Sequence, residues 1–120
     1  MERIKYQVTY IRIDTIDLPK ARSFYEDILG LSLISGNMEE GYLLFALSGI
    51  TLIVETADEQ SDIRPGRYLG ISLKVQDIFH VYNHLLEQGV AFIHPPEKQY
   101  WGGYLTEFQD PDHNTWTLLG

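Results

Sequence analysis

The chain has no cysteine among its 120 residues. That excludes a disulfide framework, thiolate metal ligands and a cysteine nucleophile, and it makes the cytoplasm the default setting. Long apolar runs are missing too. Ile50 to Val54 is broken by Thr51 and falls far short of the roughly twenty residues that cross a membrane as a helix. The opening Met1-Glu2-Arg3-Ile4-Lys5 lacks the apolar core of a signal peptide. Basic residues are scarce, 9 against 17 acidic ones, for a formal charge of −8. With no basic cluster to offset it, that field argues against nucleic acid and anionic lipid as partners and leaves room for cationic ligands. Hydrophobic residues make up 44%, enough for a core, and the length suits one domain over residues 1–120.

What the sequence does contain is one unit written twice. Tyr10 to Ile13, Asp17-Leu18, Ala21 to Leu29, and Gly30 followed by Leu31 to Ile34 read strand, cap, helix, stop, strand. Gly70 to Leu73, Asp77-Ile78, Val81 to Leu86, and Gly89 followed by Val90 to Ile93 read the same way. A single long-range duplication means two paired modules rather than a solenoid, which needs three or more repeats. Two such modules bury their apolar faces together and form a cleft where they meet.

Alternation and turn chemistry place the elements. Strand one is expected near Val8 to Ile13, helix one from the Asp17 cap to Leu29, and strand two over Leu31 to Ser35. Strands three and four are Tyr42 to Leu47 and Ile50 to Glu55. The polar stretch from Thr56 to Gly66, with Asp58, Glu59, Ser61, Asp62 and Pro65, reads as a linker. In the second module strand five covers Tyr68 to Val75 and helix two Ile78 to Gln88, with Ile78, Val81, Tyr82, Leu85 and Leu86 inward. Strand six is Ala91 to Ile93, ended by Pro95-Pro96. Strands seven and eight are Tyr104 to Phe108 and Thr115 to Leu119, joined by a turn at Asp110 to Asn114. The result is an α+β fold of two βαβββ modules, about 7–56 and 67–119.

Three passages in this order resemble the vicinal oxygen chelate superfamily of glyoxalases, bleomycin resistance proteins and extradiol dioxygenases. They are Phe24-Tyr25-Glu26-Asp27-Ile28-Leu29-Gly30-Leu31, Trp101-Gly102-Gly103 and Asp110-Pro111-Asp112-His113-Asn114. The resemblance covers about residues 7–119. It implies a curved, incompletely closed mixed sheet with helices on its outer face, and a homodimer whose half-barrels enclose the pockets.

The resemblance also implies where a metal would sit in metal-dependent members: on strands one and five, seven residues before each capping Asp, and on strands four and eight, four residues past each turn. Those positions are Tyr10, Gly70, Ile53 and Thr117. Divalent ions there need nitrogen or oxygen donors. Glycine and isoleucine have none, and tyrosine would have to ionise from a pKa near 10. Glu55, on the face of Ile53, is the one replacement ligand in reach. The reading is therefore no metal and no cofactor. His80 and His84 sit on the expected solvent side of helix two, His94 falls in an expected loop, and His113 occupies a turn position that favours positive φ.

On the expected concave face stand Tyr10, Arg12, Ile53, Glu55, Gly70, Ser72 and Thr117, with Lys74 and Thr115 beside them. Trp101 and Tyr104 are aromatic candidates at the cleft. Rings there stack on planar or cationic ligands, and packing at the cleft edge is the competing role for Trp101. Arg12 either pairs with Glu55 or Asp14, or anchors a ligand carboxylate or phosphate. Two functions stay open. One is a metal-independent protein of the bleomycin-resistance type, holding an aromatic or amphipathic small molecule in a dimer cleft. The other is a glyoxalase- or dioxygenase-like enzyme using an unusual metal site, or metal-free acid–base chemistry through Tyr10, Arg12 or Glu55.

Overall fold

The computed structural model describes residues 2–58, 60 and 64–120. Of the linker, Glu59 and residues 61–63, Ser61 and Asp62 among them, lie outside the described residues. Two mixed four-stranded sheets follow the two modules. The first comprises β1 (Tyr10–Thr15), β2 (Leu33–Asn37), β3 (Tyr42–Leu47) and β4 (Ile50–Thr56), in the order β1-β4-β3-β2. The second comprises β5 (Tyr68–Lys74), β6 (Ala91–Lys98), β7 (Tyr104–Gln109) and β8 (Thr115–Leu119), in the order β5-β8-β7-β6. In each sheet the first strand lies parallel to the last and the remaining pairs are antiparallel. The chain is thus α+β and built of two βαβββ units, with no closed barrel.

The two helices start alike. Asp17 leaves the helical φ/ψ region, and its carboxylate accepts the Lys20 N–H at 3.1 Å ahead of α1 (Leu18–Arg22). Asp77 accepts the His80 N–H at 3.1 Å ahead of α2 (Ile78–Glu87). Each caps an otherwise orphaned backbone donor. Gly30 and Gly89 follow the helices at φ +76° and +87°, values at which a Cβ carries a steric penalty.

Helix one, expected to continue unbroken from the Asp17 cap to Leu29, is not α-helical to its end. It widens into a π-helix over Ser23–Ile28, where the Leu29 N–H reaches the Phe24 carbonyl at 2.9 Å. The looser turn lets two neighbouring rings point inward. Phe24 meets Phe108, while Tyr25 packs between Phe45 and Trp116. One core therefore joins both sheets: Ile13, Leu43, Phe45, Leu52 and Val54 from the first, with Phe108, Trp116 and Leu118 from the second.

Several boundaries move. β1 begins at Tyr10, not Val8, which is 71% exposed in a segment without regular structure. β2 runs Leu33–Asn37 rather than from Leu31. β6 continues through Pro95 and Pro96 to Lys98. It is an edge strand, so a missing N–H can face solvent without breaking the ladder. Leu86, expected inward, is exposed.

Candidate functional site

Alternation gives each sheet a core face and an open face. On the first sheet Ile13, Leu52 and Val54 are buried, so Tyr10, Arg12, Ile53 and Glu55 fall on the other side. The register sets Arg12 beside Ile53 and Asp14 beside Glu55. Arg12 Nε meets Glu55 Oε1 at 3.0 Å, so the ion-pair role foreseen for this arginine is present. Both side chains line a polar cavity of about 200 Å3, together with Asp14, Thr56, Asp58 and Gln60.

The open face of the second sheet carries a row that crosses all four strands. Ser72 lies opposite Thr117, Thr117 opposite Glu107, and Glu107 opposite His94. Thr117 is buried, and its hydroxyl is 3.2 Å from that of Tyr68. His94 Nε2 is 3.5 Å from Glu107 Oε1, and Nδ1 is 3.5 Å from Glu97 Oε1. The imidazole holds its proton above the usual pH. Nδ1 donates to the Pro95 carbonyl at 2.7 Å and the two carboxylates add attraction, against a smaller opposing effect of burial. The row thus presents two hydroxyls, a carboxylate and an imidazole that can carry a proton.

Sequence reading placed Ser72 and Thr117 in this row but missed Glu107, Tyr68 and His94. Glu107 was legible from its neighbour Phe108, whose apolar side chain marks the core face and turns Glu107 to the other. His94 was hidden by the two prolines that follow it, taken as the end of the strand.

The remaining candidates divide. Gly70, at φ +68°, sits in a stretch of β5 where the ladder with β8 shifts register. A side chain there would be strained, and glycine offers no ligand atom. Trp101 is half exposed, with its ring against Gly103 closely enough that a β-carbon on that glycine would collide. Tyr104 faces away from the row: its ring packs edge-on against Phe79 at 4.9 Å, on the core side. The structure therefore groups Tyr10, Arg12, Ile53 and Glu55 on one sheet, and Gly70, Ser72 and Thr117 on the other, without Tyr104.

The metal positions implied by resemblance do not suit an ion. Ile53 and Gly70 have no donor, Thr117 is engaged by Tyr68, and Glu55 is held by Arg12. Among the described residues no group of three or more His, Asp or Glu side chains is placed to hold a metal.

The turn Asp110-Pro111-Asp112-His113-Asn114 has another task. Asp110 Oδ1 accepts the N–H groups of Asp112 and Asn114, both at 2.9 Å, while Oδ2 accepts the Tyr25 hydroxyl at 2.6 Å and the Asn114 amide at 2.9 Å. Asn114 also donates to the Asp14 carbonyl and accepts from the Gly66 N–H, and Asp112 accepts the Ile16 N–H. The turn ties the second module to β1 and the helix of the first. Burial raises the Asp110 pKa despite these bonds, and burial followed by the Asp110 charge raises that of Tyr25 well above 10. His113 adopts φ +65°, as its turn position requires. His80 and His84 lie on the exposed side of α2.

The fold is that of tandem βαβββ proteins. The family model of the Glyoxalase/Bleomycin resistance protein/Dioxygenase superfamily matches residues 7–118, and the chain belongs to that superfamily. A crystal structure of a superfamily member from Sphaerobacter thermophilus DSM 20745 is 34% identical, with TM-score 0.79 and 97% of each chain covered. Lactoylglutathione lyase from Agrobacterium tumefaciens shares the fold at 16% identity and TM-score 0.75, covering 97% of this chain and 94% of that one. An uncharacterized protein of Shewanella frigidimarina (strain NCIMB 400) is 25% identical over 97% of this chain and 94% of its own length. No helix among the described residues is long and apolar enough to cross a membrane.

Proposed function

We propose that the protein is a metal-independent, cytoplasmic small-molecule binder of the bleomycin-resistance type. It holds an aromatic or amphipathic ligand against the open sheet faces, in a cleft completed by a second copy. One observation carries this: both open faces present hydrogen-bonding side chains in register, with exposed Tyr10 and Tyr68 beside them, while the opposite faces are core. Binding sites combine apolar walls with a few placed polar groups in this manner. Arg12 supplies an anchor for a ligand anion, and Glu107 one for a ligand cation.

The test is calorimetric titration with tryptamine and indole-3-acetate, planar probes of opposite charge. Saturable binding of at least one with Kd of about 100 μM or tighter, lost when Ser72→Trp fills the open face, supports the reading. Absence of binding by both probes at millimolar concentration refutes it. A second reading, metal-free acid–base catalysis, is favoured by the His94–Glu107 contact, because a proton-holding imidazole beside a carboxylate is a competent proton donor.

A further inference from the structure

The capping residues Asp17 and Asp77 stand sixty positions apart, which pairs the modules residue by residue. By that offset Ile13 and Thr15 of β1 correspond to Leu73 and Val75, and Ala21, Phe24 and Tyr25 correspond to Val81, His84 and Leu85. In the first module all five are buried. In the second only Leu85 is, while Leu73, Val75 and Val81 are half-buried and His84 is exposed. The cause lies in the helices. The π-helical stretch of helix one turns two adjacent rings inward, whereas α2 stays α-helical and turns Leu85 inward and His84 outward. The second module lacks the aromatic filling of the first.

What it has instead is a cavity of about 450 Å3 between α2 and the end of helix one. That is within the usual range for small-molecule sites, about 300–1,000 Å3. Leu73, Val75 and Leu118 line it from the core side of the second sheet, Val81 and Leu85 from α2, and residues 27–31 from the opposite wall. The sheet separates it from the open face, because Ser72 and Thr117 point the other way from their neighbours Leu73 and Leu118.

The lining is apolar except for Asp27 and His84, both exposed at the mouth. His84 Nε2 is already 3.2 Å from the Gln88 side-chain amide. Among the described residues Asp27 has no ion-pair or hydrogen-bond partner, and Arg22, on the same helix, is taken by Glu26 at 3.5 Å. Helix one ends beside Asp27, so its carbonyls add partial negative charge there. An apolar cavity thus opens at an unneutralised carboxylate, on a chain of formal charge −8.

We propose that this cavity is a second binding site, separate from the open sheet faces, for a primary amine carried on an apolar chain. The chain lies against Leu73, Val81, Leu85 and Leu118, and the ammonium meets Asp27. An anion is repelled at the same mouth, and a neutral molecule leaves the carboxylate unused.

The test is calorimetric titration of the full chain at pH 7 with butylamine, hexylamine and octylamine. Octanol and octanoate serve as neutral and anionic controls, and methyl NMR locates the bound probe. Octylamine is expected to saturate one site per chain, with affinity falling about fourfold for each methylene removed. Octanoate should bind about tenfold more weakly, and Asp27→Asn should weaken octylamine about threefold, to the level of octanol. Methyl shifts at Leu73, Val81 and Leu118, without one at Thr117, support the site, as does loss of binding when Val81→Phe fills it. Should that variant fail to fold, the exposed Asp27→Asn and the methyl map still decide. Ser72→Trp, on the other side of the sheet, should leave octylamine binding unchanged, so failure here and failure of the proposed function read separately. No octylamine binding at millimolar concentration, equal binding of octylamine and octanoate, or shifts confined to the open face overturns the proposal. So does sedimentation equilibrium in which Val81→Phe dissociates a dimer that octylamine leaves intact, since a second copy then covers the cavity.

Discussion

Replacing Tyr25 by Phe tests the claim that the final turn clamps the two modules together. The hydroxyl donates to Asp110 Oδ2 at 2.6 Å and accepts the Trp116 Nε1–H at 2.9 Å. Both rings are essentially inaccessible to solvent. A hydrogen bond to a charged group contributes about 1.5–3 kcal/mol, and a buried donor left unpaired costs about 1–3 kcal/mol. The two overlap, so Tyr25→Phe is expected to cost about 3 kcal/mol, or about 12 °C in Tm for a chain of this size. Urea denaturation at pH 7 measures it, and adding Trp116→Phe, which removes the stranded donor, should cost less than the sum of the single changes. The pH dependence is a second reading of the same bond. The Tyr25 pKa is raised in the folded state, first by burial and then by Asp110. Its contribution is therefore fully present below pH about 10 and lost as pH rises beyond that. The Phe variant lacks this alkaline loss, so the gap between the two proteins narrows above pH 10. A cost under about 1 kcal/mol, or parallel alkaline curves, would refute the clamp.

Arg12→Ala should change stability by less than about 1 kcal/mol, since its partner Glu55 and the arginine itself are both substantially exposed, yet it should weaken indole-3-acetate binding in the same calorimetric assay. His113→Gly relieves a left-handed residue and should raise stability by about 0.5–1 kcal/mol in urea. Zn, Ni, Mn or Fe added to tag-free protein should leave Tm unchanged, with less than about a tenth of an ion per chain by elemental analysis; one tight ion per chain would contradict the donor argument. NMR titration should place the His94 pKa above its ordinary 6.5, and Glu107→Gln should lower it. That proton's contribution to stability is present below the ordinary pKa and fades as pH rises through the raised one.

The fold was legible because its signals are local and doubled. Asp17 and Asp77 cap, Gly30 and Gly89 stop, and alternation along β3, β4 and β8 needs no knowledge of the partner strand. The misreadings fall where a neighbour decides. Val8 has a strand's composition but no strand beside it in the chain. Pro95 and Pro96 end a central strand yet are tolerated at an edge, and edge status is a property of the sheet. The π-helical turn at Phe24 and Tyr25 follows from a core that accommodates both rings, which no spacing along helix one could announce.

The site was legible only as a face, not as a set of contacts. Parity alone puts Arg12 with Glu55 and Ser72 with Thr117, but it says nothing of which side chains are already engaged. The structure settles that differently for each pair. Arg12 is paired but solvent-accessible, so a ligand anion competes for it at little cost in folding. Thr117 is buried beneath Tyr68, so a ligand reaches it only by displacing that hydroxyl. Glu107 Oε1 and His94 Nε2 meet only at 3.5 Å, too long for a strong hydrogen bond, while His94 Nδ1 is engaged by the Pro95 carbonyl at 2.7 Å, so a bridging group enters between Nε2 and the carboxylate. In the row Ser72–Thr117–Glu107–His94, Ser72 is exposed and the Glu107–His94 contact is long, so a ligand meets least resistance at the two ends of the row and most at Thr117 in between.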